Sequence, residues 1–519
     1  MKKITDKYSC VCTALLAALF CVSTAGAQVT FTDVTDAAGV RMNVQSRWST
    51  NQTWGDFDND GLIDVYVTSW GQATTGEARN ALFRNLGSGT FTDVASQYGL
   101  DLTDNSSGAA FGDFDNDGDL DLFVTNFFEA DKIFKNLLAE NTASGSGGVD
   151  FEDVTGETGL LSNPVGRSKT AVWGDYNNDG YLDLYVSKYW GENTLYRNEG
   201  GTTFTPLFDG VFADVRDSEN ANFVDYDDDG DVDLYVVNRE QENRLYRNDS
   251  GEFTAADGGF NDTQFGRFGI WADYDNNNRL DLFIGNIGAN SFYEQSTGRS
   301  FTEIATTLNV RSAPNAWDTW GAAFGDYDGD SDLDLFYVGG FDETEPSQDL
   351  SFIGTFGNML LENIGPAFVD RTDDAGISRG TPLGGQEYGS FASSASFVDY
   401  DGDGDPDLMI TNTLMNILYR NENPEDTYLK VAVDDRRSGY NRNGLGVKVR
   451  VFNSVAPTAP VGTREIMSGT GPMQALFGLS TSATYNIEIT FLKGGDPLQI
   501  TTRTISNVSV PLDTVLIVQ

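Results

Sequence analysis

The sequence contains no histidine, and its three cysteines, Cys10, Cys12 and Cys21, all lie in the first 21 of 519 residues. Ser-His-Asp and Cys-His catalysis is therefore excluded, as are the imidazole and thiolate sites that transition metals favour. Beyond residue 21 no disulfide can brace the chain. No glycine-rich phosphate loop followed by Lys-Ser/Thr is present. Basic residues are scarce, 33 Lys and Arg against 78 Asp and Glu, for a net charge of −45. Such a surface repels nucleic acid and anionic membranes. No apolar run reaches the ~20 residues that a membrane span needs. The apolar stretch 11–22 follows Lys2 and Lys3 and precedes Ala25-Gly26-Ala27, the pattern of a removable export signal over residues 1–27. The expectation is an exported chain, periplasmic, at the cell surface or extracellular.

What the chain has in abundance is one nine-residue phrase: Asp-x-Asp/Asn-x-Asp/Asn, usually Gly, then x-x-Asp. It occurs seven times. The first copy offers the side chains of Asp56, Asp58, Asp60 and Asp64 and the carbonyl of Leu62. The second offers Asp113, Asp115, Asp117, Asp121 and the Asp119 carbonyl; the third Asp175, Asn177, Asp179, Asp183 and the Tyr181 carbonyl. The fourth has Asp225, Asp227, Asp229, Asp233 and the Asp231 carbonyl; the fifth Asp273, Asp275, Asn277, Asp281 and the Arg279 carbonyl. The sixth has Asp326, Asp328, Asp330, Asp334 and the Asp332 carbonyl; the seventh Asp399, Asp401, Asp403, Asp407 and the Asp405 carbonyl. Oxygens at positions 1, 3, 5, 7 and 9 of a tight loop suit a hard cation of calcium's size, so up to seven calcium ions are expected. An EF-hand is excluded because its bidentate Glu at position 12 is replaced by Val67, Val124, Val186, Val236, Ile284, Tyr337 and Ile410. Asn277, Asn278 and Arg279 predict the weakest site in the fifth loop. Ser331, standing where a turn Gly is usual, predicts modest strain in the sixth.

The copies are 48 to 73 residues apart, a period of propellers or solenoids. Each period holds an apolar lead, the loop, an apolar strand such as DLFVTNF, a segment ending in a basic residue and Asn, and a Phe-x-Asp-Val strand. Four short strands per repeat predict seven blades of an all-β propeller. A spare Phe-x-Asp-Val strand, Phe31–Val34, precedes the first loop, and none follows the seventh. Pairing the two ends closes the ring and removes an open sheet edge. The Trp or Phe two residues before each loop (Trp54, Phe111, Trp173, Phe223, Trp271, Phe324, Phe397) reads as inter-blade core.

The lead GDFDNDGLIDVYV (Gly55–Val67), repeated seven times, resembles the FG-GAP or VCBS repeats of integrin α-like propellers. The resemblance spans residues 29–425 and places the propeller domain at 28–426. Residues 427–519 lose the acidic loops and read as a small β-sandwich-like domain. There, Asn443-Gly444-Leu445-Gly446-Val447-Lys448-Val449, Arg464-Glu465-Ile466 with Ser468-Gly469, and Phe477-Gly478-Leu479 resemble an ASPIC/UnbV domain. That order of parts is similar to cartilage acidic protein-like proteins. The resemblance implies calcium binding and a binding or scaffold role, and supplies no reaction.

If the loops join the first two strands of each blade, the other connections emerge on the opposite face. Arg47, Trp48, Trp70, Arg167, Lys169, Lys188, Tyr189, Trp190, Arg239, Arg267, Arg311 and Trp317 fall there. Aromatic faces stack on sugar rings and guanidinium pairs with carboxylate or sulfate, so this face is expected to take a glycan, an anionic polymer or an extracellular protein. The set Trp48, Trp70, Arg167, Lys188, Tyr189, Trp190 and Arg239 is the candidate site. The competing reading is a polysaccharide lyase or glycosidase on the same propeller, with Glu192, Glu240 and Glu387 as the acids to test.

Overall fold

The structure is a computed structural model. It describes residues 29–42, 48–70, 79–145, 147–160, 167–207, 216–239, 241–256, 259–260, 265–310, 318–340, 357–379, 381–383, 386–388, 392–412, 416–423, 428–437, 441–455, 457, 459–469, 471–480, 483–491, 501–509 and 515–518.

Within each repeat, β-branched and aromatic residues alternate along short runs that Gly, Asn and Asp interrupt, and each repeat folds into one four-stranded antiparallel sheet. The first sheet runs Trp48–Gly55, Asp64–Trp70, Ala81–Asn85, Phe91–Asp93 in chain order from the first strand to the last. Seven such sheets form a seven-bladed β-propeller. The seventh is completed from the start of the chain: Phe31–Asp33 pairs with Ile417–Asn421, Phe31 opposite Asn421. The ring therefore closes as the repeat count predicts.

In every blade the pairing of the first two strands slips once, for example between Ser168 and Ala171 or Thr319 and Gly321. These bulges lie at the strand end remote from the acidic loop and re-aim the chain there. At the loop end, glycine makes room for the next blade. A Cβ on Gly112 would lie 2.8 Å from the Trp173 ring, and one on Gly174 would lie 2.6 Å from Phe223. Trp54, Phe111, Trp173, Phe223, Trp271 and Phe397 are buried between blades, as expected of core; Phe324 is half-buried.

The C-terminal stretch folds into two further sheets. One orders Ala475–Gly478, Tyr428–Val433 and Val515–Val518, the last pair parallel; the other orders Pro460–Glu465, Lys448–Asn453, Thr484–Phe491 and Thr501–Ser509. Leu429, Val431, Val449, Val451, Phe477, Ile487 and Ile489 form its core, which is continuous with Ala110, Trp173 and Leu182 of the propeller. Among the described residues no helix is long and apolar enough to cross a membrane.

Candidate functional site

The acidic phrase folds as a hairpin loop between the first two strands of each blade; in the first loop four of its backbone N–H groups, those of Phe57, Asp60, Gly61 and Leu62, are tied to its own carboxylates. In the first loop Asp56 accepts the N–H of Asp60 at 3.1 Å and of Gly61 at 2.8 Å. The same pair of bonds recurs on Asp113, Asp175, Asp225 and Asp273. The turn requires left-handed backbone twice. Position 4 is Asn59, Asn116, Asn178, Asp228, Asn276, Gly329 or Gly402, all at positive φ, and position 6 repeats the requirement. Asn and Gly tolerate that region, which explains their placement. Ser331 sits there at φ +82°, so the strain expected of the sixth loop is present.

The ninth aspartate faces inward. Asp64 accepts the Phe57 N–H at 3.2 Å and the Asn85 N–H at 2.7 Å. Its neighbour Asn85 then does a second job, unforeseen in the sequence: its amide donates to the Ile63 carbonyl and, at 2.8 Å, to the Tyr400 carbonyl of the preceding blade. The contact repeats around the whole ring, from Asn136 to Phe57, Asn198 to Phe114, Asn248 to Tyr176, Gln295 to Tyr226, Asn363 to Tyr274 and Asn421 to Tyr327. The Asn that closes six of the third strands, with Gln295 in the other, was the visible signal; its partner was not, because it lies 69 to 94 residues away in six of the seven cases and 315 in the other.

The donor set fits a hard cation. Carboxylate oxygens of Asp56, Asp58 and Asp64, of Asp113, Asp115 and Asp121, of Asp225, Asp227 and Asp229, and of Asp273, Asp275 and Asp281 lie within 4.8 Å of one another. Asp58 Oδ1, Asp117 Oδ2, Asp227 Oδ1, Asp281 Oδ2, Asp328 Oδ1 and Asp401 Oδ1 are buried and accept no hydrogen bond from the protein. Propeller cations already lean on three loops: Arg84 pairs with Asp58 and Asp60, Lys135 with Asp115 and Asp117, and Arg299 with Asp227. Burial, with like-charged neighbours, pushes Asp64 and Asp113 up to about 8 and Asp56 to about 6. These are carboxylates that hold their charge poorly by themselves. In the fifth loop the Arg279 side chain bonds backbone carbonyls, its Nε donating to Gln295 at 2.8 Å and its Nη1 to Asn277 at 3.5 Å.

On the opposite face the structure gathers part of the predicted set. The Arg167 guanidinium lies 3.8 Å over the Trp190 ring, and Trp190 stands 5.0 Å from Tyr189. Arg239 bonds the Tyr189 hydroxyl and covers its ring at 5.3 Å. Tyr189 continues to Phe127 at 6.1 Å and Phe127 to Trp70 at 4.8 Å. Trp190 is 58% exposed and Phe128 49%. Phe127 and Phe128 were overlooked in the sequence, although they stand as far beyond Asp121 of their loop as Tyr189 and Trp190 stand beyond Asp183 of theirs. Lys188 stands apart: its strand position turns it inward, where it is buried, donates to Thr194 Oγ1 at 3.1 Å, and is held below the usual lysine value by burial. Arg267 is also buried, bridging Glu219 at 3.0 Å and Asp318 at 3.1 Å, while Lys169 pairs with Glu219 at 3.0 Å. Burial disfavours the Glu219 carboxylate, but Lys169 and Arg267 outweigh it and hold its carboxyl below the ordinary value. The Trp48 backbone pairs with Trp70. The Trp48 side chain, Arg47, Arg311, Trp317, Glu240 and the Glu387 side chain lie outside the described residues. Glu192 is exposed.

Seven closed blades with an acidic loop on each define a β-propeller of repeated acidic-loop modules. The family described as FG-GAP-like repeat matches residues 56–124, 175–236, 225–284 and 273–337, so the chain carries FG-GAP-like repeats. It is similar to cartilage acidic protein 1 of Xenopus tropicalis, 32% identical over 119 residues, and to that of Homo sapiens, 29% identical over 120 residues. Each match covers 23% of this chain and spans 16% of the relative's length. Among solved structures, YCF48 from Cyanidioschyzon merolae aligns with a TM-score of 0.44 at 10% identity, covering 75% of this chain and 99% of that one.

Proposed function

We propose that this chain is an exported calcium-binding β-propeller that works as a binding or adhesion module, taking a glycan or anionic polymer on the face opposite its acidic loops. The loops are the structural half of this reading. Bound calcium supplies the charge that the clustered carboxylates lack, and the first, third, fifth and ninth side chains of each loop hold it. The same site chemistry gives the oxygen-only donor set a preference for calcium over transition metals.

The observation that carries the binding half is Trp190. A bulky residue held at φ +57°, more than half exposed, with a guanidinium stacked on it, is an expensive arrangement for a merely structural surface. A flat indole beside Arg167 and Arg239 suits a sugar ring bearing carboxylate or sulfate. The test is a glycan array run in calcium with the wild type and with Trp190→Ala and Arg167→Ala. Saturable binding of acidic glycans is expected, lost at least about tenfold in each variant, the scale of one stacked or charge-assisted contact. Binding that survives both substitutions would move the site elsewhere, and depolymerised products would replace the binding module by a lyase or glycosidase.

A further inference from the structure

The C-terminal sandwich sits on the acidic loops, and it meets them with cations. Lys430 pairs with Asp399 of the seventh loop. Lys448, buried, donates to the Asp225 carbonyl at 2.6 Å, stands 3.4 Å from Asp225 Oδ2, and pairs with Asp228 in the fourth. Arg450 reaches Asp228 Oδ1 at 3.1 Å and donates to Asn278 of the fifth. Arg464 is buried with Asp326 and Asp273 as charged neighbours. Arg442 covers the second loop so closely that a Cβ on Gly118 would fall 2.2 Å from its Nη1. Neutral contacts follow the same map. Gly478 N–H donates to Asp326 Oδ2 at 2.9 Å, Ser331 Oγ donates to the Gly478 carbonyl at 2.6 Å, and Asp113 N–H donates to Asn443 Oδ1 at 2.8 Å.

Loops two, four, five, six and seven are thus engaged. Among the described residues, no side chain of the C-terminal unit hydrogen-bonds or ion-pairs with the first or third loop, and a cleft of about 670 Å³, lined by Asp56, Asp113, Asp399, Lys430 and Arg442, lies between the unit and the first, second and seventh loops. A chain this poor in basic residues places five of them where divalent ions would also be held.

We infer that the C-terminal unit is a lid that competes with calcium for the five engaged loops. Its cations partly satisfy those loops when no ion is present, and each ion that enters weakens its hold. The reason is electrostatic. A unit positive charge beside a carboxylate lowers that carboxylate's affinity for a divalent ion, and by linkage the ion lowers the affinity for the charge. The first and third loops take no cation from the C-terminal unit and form a separate class that its charges do not weaken. The inference rests on the calcium reading of the loops given above.

The experiment is a calorimetric calcium titration of the full chain, wild type against Lys430→Gln and Arg442→Gln, with hydrogen exchange at the Gly478 amide in parallel. Two classes of site are expected in the wild type. In each variant one site of the weaker class gains affinity by about tenfold, the scale of one nearby unit charge acting on a divalent ion. Exchange at Gly478 speeds up as calcium is added. Lys430→Arg, which keeps the charge, restores the wild-type isotherm and separates charge from misfolding. Calcium binding with isotherms identical in all four proteins, or a Gly478 amide that calcium protects, overturns the competition and leaves calcium binding intact. A wild type that binds no calcium overturns both.

Discussion

At the scale of single residues, the informative ones are those in conformations their side chains dislike. Trp190 is held at φ +57° with its backbone N–H donating to Asp217 Oδ1 at 2.8 Å. If that geometry serves binding, relieving it should separate stability from function. Trp190→Gly is expected to be more stable than Trp190→Ala by about 1 kcal/mol, the cost of a Cβ in left-handed backbone, with neither variant binding. Paired denaturant melts measure the difference, and equal midpoints would show the backbone relaxing to negative φ. The sequence disclosed Tyr189, Trp190 and Arg167 as a group by their place after a second strand or before a first. It misplaced Lys188, because alternation along a strand assigns faces only relative to neighbours, and at that strand end both faces are enclosed.

At the scale of the element, each blade is a hairpin tied by its loop and a third strand that reports to the blade before it. The Asn at the end of that third strand is the joint. Asn248 is fully buried, donates to Tyr176 O at 2.7 Å and Val232 O at 2.9 Å, and accepts the Gly251 N–H at 2.7 Å. Truncation leaves two buried backbone carbonyls and one half-buried N–H without this partner, so Asn248→Ala should cost about 3 kcal/mol. Chemical denaturation of the two proteins in matched calcium checks this; a loss below about 1 kcal/mol would mean that water replaces the amide. The four-strand order and the loops were legible because they repeat in sequence. The joint was not, because its acceptor is a backbone carbonyl with no residue-type signature.

At the scale of the whole molecule, closure and charge set the conditions of stability. Phe31–Asp33 completes the seventh sheet, so the ring holds as a unit rather than as an open row of blades. Burial raises Asp64 and Asp113 to about 8 and Asp281 to about 9 in the folded, metal-free loops, well above the unfolded carboxylate value near 4. With folded values above unfolded ones, the folded state binds more protons between these limits, and stability falls as pH rises. The chelated protein should therefore melt progressively lower from pH 5 to pH 8. Calcium needs the same carboxylates ionised, so its stabilisation grows over that interval and the two melting curves diverge. Scanning calorimetry with and without chelator tests both slopes. A chelated protein whose melting temperature rises with pH would mean that the loop carboxylates are ionised and satisfied without metal.

The sequence by itself determined the number of blades, the acidic loops, the closing strand and the chemistry that is impossible, because each of these is written as local residue type. Only the tertiary structure decided which face the C-terminal unit covers and which cations meet which loops. It also decided which of the basic and aromatic residues on the opposite face meet in one patch. Those outcomes depend on contacts between Lys448 and Asp225, or Arg167 and Trp190, that are 223 and 23 residues apart and arise only when the ring has closed and brought its faces together.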